Sequence, residues 1–261
     1  MEADPRLAAQ PSPVRLPPGP YPARIPLPAT GEVRSAADPV FRIRSMDPED
    51  LPFVVTEHRR IFPDGFFARL GPAFLTAYTR TYMTGPHARG YVAEVNRQPV
   101  GFLVGVLDPA EHRRHVLQAH GRGLLLRALG GLALRPLLAL RFLRTRLGRY
   151  ARKLLPGRRP AAQPSGPPGP SGVTAVLAHV AVLERARSRG IGDALIQRFV
   201  GDAAAHGCVR VSLVTVAGPG GAGPYYESRG WIPVGQSRTP DGLRLATYDF
   251  PLRDGGPGGP R

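Results

Sequence analysis

The sequence predicts an α/β (α+β) domain: a mixed, partly antiparallel central sheet flanked by helices. Three observations carry this. Two apolar runs, "TAVLAHVAVL" (174–183) and "CVRVSLVTV" (208–216), are separated by one helical pattern. Such a strand–helix–strand crossover implies parallel pairing. A second pair of runs, "GYVAEV" and "VGFLVGVLD", is joined by the short polar turn "NRQP", which predicts an antiparallel hairpin. Two further strands, "WIPVGQ" and "LRLATYDF", close the pattern.

In chain order, "FRIRSMD" (41–47) is a short strand with Asp47 placed to cap the following helix, "PEDLPFVVTEHRRIF". A second helix carries Phe66, Leu70, Phe74, Tyr78 and Tyr82 at i, i+4 spacing, and Gly71-Pro72 is expected to bend it. In "IGDALIQRFVGDAAAHG" the apolar stripe is Ile191, Leu195, Phe199 and Ala203, with Asp193 and Gln197 pointing away. The order is thus β-α-α-β-β, an insertion, then β-α-β-α-β-β.

Breakers define the boundaries. The 32 glycines and 31 prolines are unevenly spread. Residues 1–39 form a Pro-rich segment without apolar periodicity, expected to be disordered. A domain follows over 40–251, interrupted at 156–172 by "PGRRPAAQPSGPPGPSG", and 252–261 is expected to be a flexible tail. The formal charge is +16. Most of it lies in 111–159, where 13 basic residues stand against one acid. Because Lys153 is the single lysine, the arginine excess resembles codon bias more than phosphate recognition. Residues 111–155 are expected to be a basic amphipathic helical insertion: Leu143, Leu147, Tyr150 and Leu154 share a face opposite Arg141, Arg144, Arg149 and Arg152. Its expected partner, if any, is an anionic membrane surface. No nucleic-acid module is recognisable.

The lone Cys208 excludes an internal disulfide and a cysteine-rich zinc site, and no metal site is expected. No signal-peptide pattern opens the chain, and "GLLLRALGGLALRPLLALRFL" holds three arginines and a proline, so a spanning helix is not expected. The expected location is the cytoplasm.

The most informative stretch is "HVAVLERARSRGIGDALIQRFV" (179–200). A helix start offers free N–H groups and positive dipole potential to an anion. Glycines let the backbone approach closely. A dinucleotide fingerprint would need a third glycine where Leu195 stands, and a P-loop would need G-K-[ST]. The pattern present is R-x-x-G-x-G: Arg187, Gly190 and Gly192, after a strand ending at Val182.

With "PYYESRGW" (224–231) about 40 residues downstream, this stretch resembles the GNAT superfamily of acyl-CoA N-acyltransferases, here with a basic insertion before the cofactor-binding strand. The resemblance covers roughly 41–108 and 173–250. It implies the GNAT fold and acetyl transfer from acetyl-CoA, as co-substrate, to a primary amine of a small metabolite or peptide. It implies that Val180, Ala181 and Val182 pair with the pantetheine arm. Arg187, Ser188, Arg189, Gly190, Ile191, Gly192 and Asp193 would hold the diphosphate, and Tyr226 would protonate the leaving thiolate. Departures are Pro219, where the family often has Asn, and Val214, where some members have a glutamate base. The base is therefore open among His179, Glu57 (with neighbouring His58) and a water. His179 also fits a core histidine, and Tyr226 a core aromatic. The alternative function is an acyl-CoA sensor, or a membrane- or nucleic-acid-tethered module without turnover.

Overall fold

The computed structural model describes residues 41–63, 65–134, 140, 172–239 and 242–252. The leucine–arginine faces expected beyond 141, the segments 1–39 and 156–171, and most of the tail lie outside the described residues.

Seven strands form one sheet in the order β1-β2-β3-β4-β5-β7-β6. They are β1 Phe41–Ser45, β2 Ala88–Val95, β3 Gln98–Val106, β4 Thr174–Val182, β5 Arg210–Val216, β6 Ile232–Arg238 and β7 Arg244–Pro251. Among the described residues, only β4 and β5 pair in parallel; every other neighbour is antiparallel. The described helices are α1 Leu51–Ile61, α2 Phe66–Arg69, α3 Pro72–Thr84, α4 Pro109–His115, α5 Gly121–Ala133, α6 Ile191–Ala205 and α7 Gly223–Glu227. Among the described residues, none is long and apolar enough to cross a membrane.

Local chemistry explains the boundaries. Asp47 accepts from the amide of Glu49, and Asp50 returns a bond to the Asp47 amide, so a capping box starts the turn before α1. The helix expected across 66–82 breaks into α2 and α3, because Gly71 takes φ 103° and Pro72 can only begin a new helix. The β2–β3 hairpin closes on Asn96 and Arg97, with φ of 51° and 61°, the left-handed pair that matches strand twist.

Central strand β3 is buried on both faces, so its residues alternate between two cores. Leu103 and Leu107 pack with Leu195 and Phe199 of α6. Phe102, Val104 and Val106 pack with Val54 of α1 and Tyr82 of α3. Gly105 makes the first contact possible. A Cβ there would lie 2.5 Å from two ring carbons of Phe199. Arg44 ties the outer edge by pairing with Asp50 and Glu94, joining β1, the start of α1 and β2. Burial alone would raise the Asp50 pKa. The hydrogen bonds from Arg44 and the Asp47 amide outweigh it and hold the carboxyl below its usual range.

Candidate functional site

The parallel pair β4–β5 sets the site. Its register runs only from Thr174 opposite Arg210 to Leu177 opposite Leu213. Beyond it β4 stays paired with β3 through Val182, and β5 with β7 through Val216. The two strands therefore splay, leaving one backbone edge of β4 free after Leu177. A bulge sharpens this: Val104 faces His179 and Gly105 faces Leu177, so Ala178 is the extra residue on β4.

A cavity of about 530 Å³ sits at this opening. One wall is Val180–Val182 of β4, and the opposite wall is Tyr225 and Arg229. Its end is the turn into α6: Arg187, Ser188, Gly190, Ile191, Gly192 and Asp193. Ser188 and Gly190 adopt φ of 59° and 74°, which curls the turn so that successive N–H groups converge. Among the described residues, the amides of Ser188 through Asp193 have no backbone acceptor, whereas those on either side do: Arg187 bonds Glu184 O at 3.2 Å and Ala194 bonds Gly190 O at 2.9 Å. With the α6 dipole behind it, the turn has the N–H groups and potential suited to an anion. Arg187 folds across the end of β4, its Nε donating to Val182 O at 3.2 Å. A Cβ on Gly190 would meet nothing within 4 Å.

Nine of the ten residues expected to bind the cofactor line this cavity; Arg189 is exposed and does not. Sequence reasoning missed Tyr225 and Arg229 and misplaced the role of Asp193. Asp193 lies off the buried stripe of α6, as expected, but not free in solvent: it takes a paired bond from Arg229, at 2.8 Å for the Nη2–Oδ2 contact, and the Tyr225 hydroxyl donates to its Oδ1 at 2.7 Å. The Arg229 guanidinium also lies over the Tyr225 ring at 3.8 Å. Arg229 chiefly, with Tyr225, holds the Asp193 carboxyl below its usual range. The cluster closes the wall and neutralises the one acid beside the turn.

The candidate proton-transfer residues are not gathered at one point. Tyr226 is 6 % exposed and is not a lining residue. Its ring packs on Tyr225, Trp231 and Tyr248. Its hydroxyl has no hydrogen-bond partner among the described residues, and burial pushes its pKa up to about 12. His179 stands on the other face of β4, 4.4 Å from the His58 ring and 5.3 Å from Phe62. Burial, and then His58, lowers His179 to about 3, while burial lowers His58 to about 4. Both imidazoles are therefore neutral at physiological pH. Glu57 is half-buried and bound to Arg60 at 2.8 Å; Arg60 reaches on to Glu184 at 3.4 Å. Among the described residues, no group of three or more His, Cys, Asp or Glu is placed to hold a metal ion.

Fold and site together define an α/β domain whose splayed parallel strands and bare helix start form an anion-receptive cleft. Residues 171–252, which hold the whole of that cleft, match the model of the Acetyltransferase (GNAT) domain. Similar solved structures include the ribosomal-protein-S18-alanine N-acetyltransferase from Escherichia coli, at 15 % identity over 83 % of this chain and 97 % of that one, with TM-score 0.46. Ard1 from Thermoplasma volcanium shares 15 % identity over 82 % and 98 %, with TM-score 0.49. Arabidopsis thaliana NAA60 in complex with acetyl-CoA shares 16 % over 81 % and 98 %, with TM-score 0.48. No curated protein sequence matches the chain.

Proposed function

We propose that this chain is an N-acyltransferase that moves an acetyl group from acetyl-CoA to a primary amine of a small metabolite or peptide. The observation that carries the reading is the run of unpartnered amides from Ser188 to Asp193 at the end of the splayed β4 edge. Those amides, with the α6 dipole and Arg187, fit a diphosphate. The free edge at Val180–Val182 fits an amide-bearing chain such as pantetheine, laid as an added strand.

The thioester brings an acyl group already activated towards amines, so the protein has to position, withdraw one proton and return one. Tyr226 is the proposed proton donor to the departing sulfur. Its raised pKa keeps the phenol protonated at neutral pH, and its hydroxyl has no hydrogen-bond partner among the described residues. His179 and Glu57 are the proposed alternatives for accepting the amine proton, directly or through a water. His179 is unprotonated and so open to a proton, though its low pKa makes it a weak base; Glu57 lies 2.8 Å from Arg60.

The test is a panel of amines and peptides with acetyl-CoA, read by release of free thiol. Acetyl-CoA binding together with thiol release on adding one acceptor class supports the reading. Failure to bind acetyl-CoA overturns it.

A further inference from the structure

We propose that the outer face of α5 docks on an anionic lipid surface, holding the domain on a membrane without crossing it. This goes beyond the transferase reading and stands independently of it.

Helix α5 is apolar on two sides. Its inner side, Gly121, Leu124, Ala128 and Leu132, is half-buried. There the helix approaches so closely that a Cβ on Gly131 would fall 2.2 Å from the Leu70 carbonyl oxygen. That contact fixes which side faces out. The outer side carries Leu125, Leu126 and Leu129, continued by Leu117 before the helix and Leu134 after it; these five are 54 % to 85 % exposed. Scattered exposed leucines need no explanation, but Leu125, Leu126 and Leu129, within about 100° of one another around α5, form a patch that water alone does not favour.

The flanking charge says what covers it. Arg113, Arg114, Arg122 and Arg127 are exposed around the stripe, and Glu111 is the one acid of α4 and α5, already held by Arg114 at 2.7 Å. Among the described residues, no acid pairs with Arg113, Arg122 or Arg127; Arg127 only returns a bond to the Gly123 carbonyl. A partner protein meeting this face would have to supply several acids around an apolar centre. A bilayer rich in anionic headgroups supplies both layers at once: leucines enter the acyl boundary while arginine stems reach up to phosphates. Stable interfacial binding takes two signals, an apolar insertion and a basic patch, and this segment carries both. At 13 residues, with Arg127 within it, α5 lies in the interface rather than spanning it.

The experiment mixes the full chain with vesicles of phosphatidylcholine alone or of phosphatidylcholine with phosphatidylglycerol, and measures co-sedimentation at rising salt. Binding to the anionic vesicles that weakens with salt is expected. The variant Leu125→Asp/Leu126→Asp/Leu129→Asp is expected to lower that binding by more than about tenfold, with an unchanged melting temperature. Arg122→Glu/Arg127→Glu is expected to lower it by about tenfold or more. Acetyl-CoA binding serves as the control for an intact fold. Four results overturn the proposal: no binding to anionic vesicles; leucine variants that bind as the parent does; an early-melting leucine variant, which would show the face covered within the chain; or a parent dimer that light scattering finds dispersed by the same variant.

Discussion

The Tyr225 hydroxyl donates to Asp193 Oδ1 at 2.7 Å, joining two elements 32 residues apart. Through this bond and the Arg229 pair, α7 is tied to the first turn of α6, joining the wall opposite β4 to the glycine turn. Tyr225→Phe removes the donor and keeps the ring under Arg229. We expect acetyl-CoA binding to weaken by about fivefold, in line with loss of one hydrogen bond to a charged group near the surface. Calorimetric titration with acetyl-CoA measures it. An unchanged Kd would show that the clamp does not order the turn.

Neighbouring Tyr226 should behave differently. Its hydroxyl has no hydrogen-bond partner among the described residues, so Tyr226→Phe is expected to leave acetyl-CoA affinity and melting temperature nearly unchanged. Turnover should fall by about ten- to a hundredfold, because a positioned proton donor is lost. Steady-state thiol release beside a binding titration separates the two effects. Equal loss in both would mark Tyr226 as a packing residue only.

This contrast marks how far the sequence could be read. The parallel pair and the glycine turn into α6 were legible because one local pattern, a strand running into R-x-x-G-x-G, encodes strand, turn and helix start together. Gly71-Pro72 likewise announced the break between α2 and α3 through backbone sterics alone. The clamp was not legible. Asp193 and Arg229 sit on different elements, and helical periodicity assigns an off-stripe residue to solvent without regard to what another helix brings across. Adjacent tyrosines on a helix of five residues differ by about 100° in direction, and one turn holds too little pattern to say which of Tyr225 and Tyr226 lines the cavity. Outer leucines of α5 escaped notice for the same reason: a helix apolar on two sides has a weak stripe.

Gly190 tests the turn itself. Its Cβ position is open, so Gly190→Ala meets only the backbone cost of φ 74°, about 1 kcal/mol. Gly190→Glu adds a negative charge among the lining amides. We expect acetyl-CoA affinity to fall by about a hundredfold or more in the glutamate variant and by far less in the alanine variant, since an unpaired like charge at a phosphate site costs several kcal/mol. Similar melting temperatures for the two variants would confirm that the difference lies in binding.

The core offers a test independent of function. Gly105→Ala forces a methyl to within 2.5 Å of the Phe199 ring, between β3 and α6. Overpacking of this kind costs about 1–3 kcal/mol. Denaturant unfolding should show that loss, and adding Phe199→Leu should recover part of it by clearing the ring. Additive losses in the double variant would place the strain elsewhere.

The His58–His179 pair gives the pH dependence of stability. Both imidazoles have folded pKa values depressed by burial, to about 4 and about 3, against an unfolded value of 6.5. Between the folded and unfolded values the unfolded chain binds more protons, so stability rises with pH through that window and is fully present above about 6.5. Falling from neutral pH to about pH 5 should cost on the order of 2 kcal/mol for each histidine. Melting temperatures across that range measure the total, and His179→Phe should flatten the slope by roughly half while filling the space beside Phe62 with another ring. An unchanged slope in this variant would mean that His179 titrates in the fold as it does in the unfolded chain, so that burial does not depress it. In that state it would be a stronger acceptor for the amine proton than the depressed imidazole.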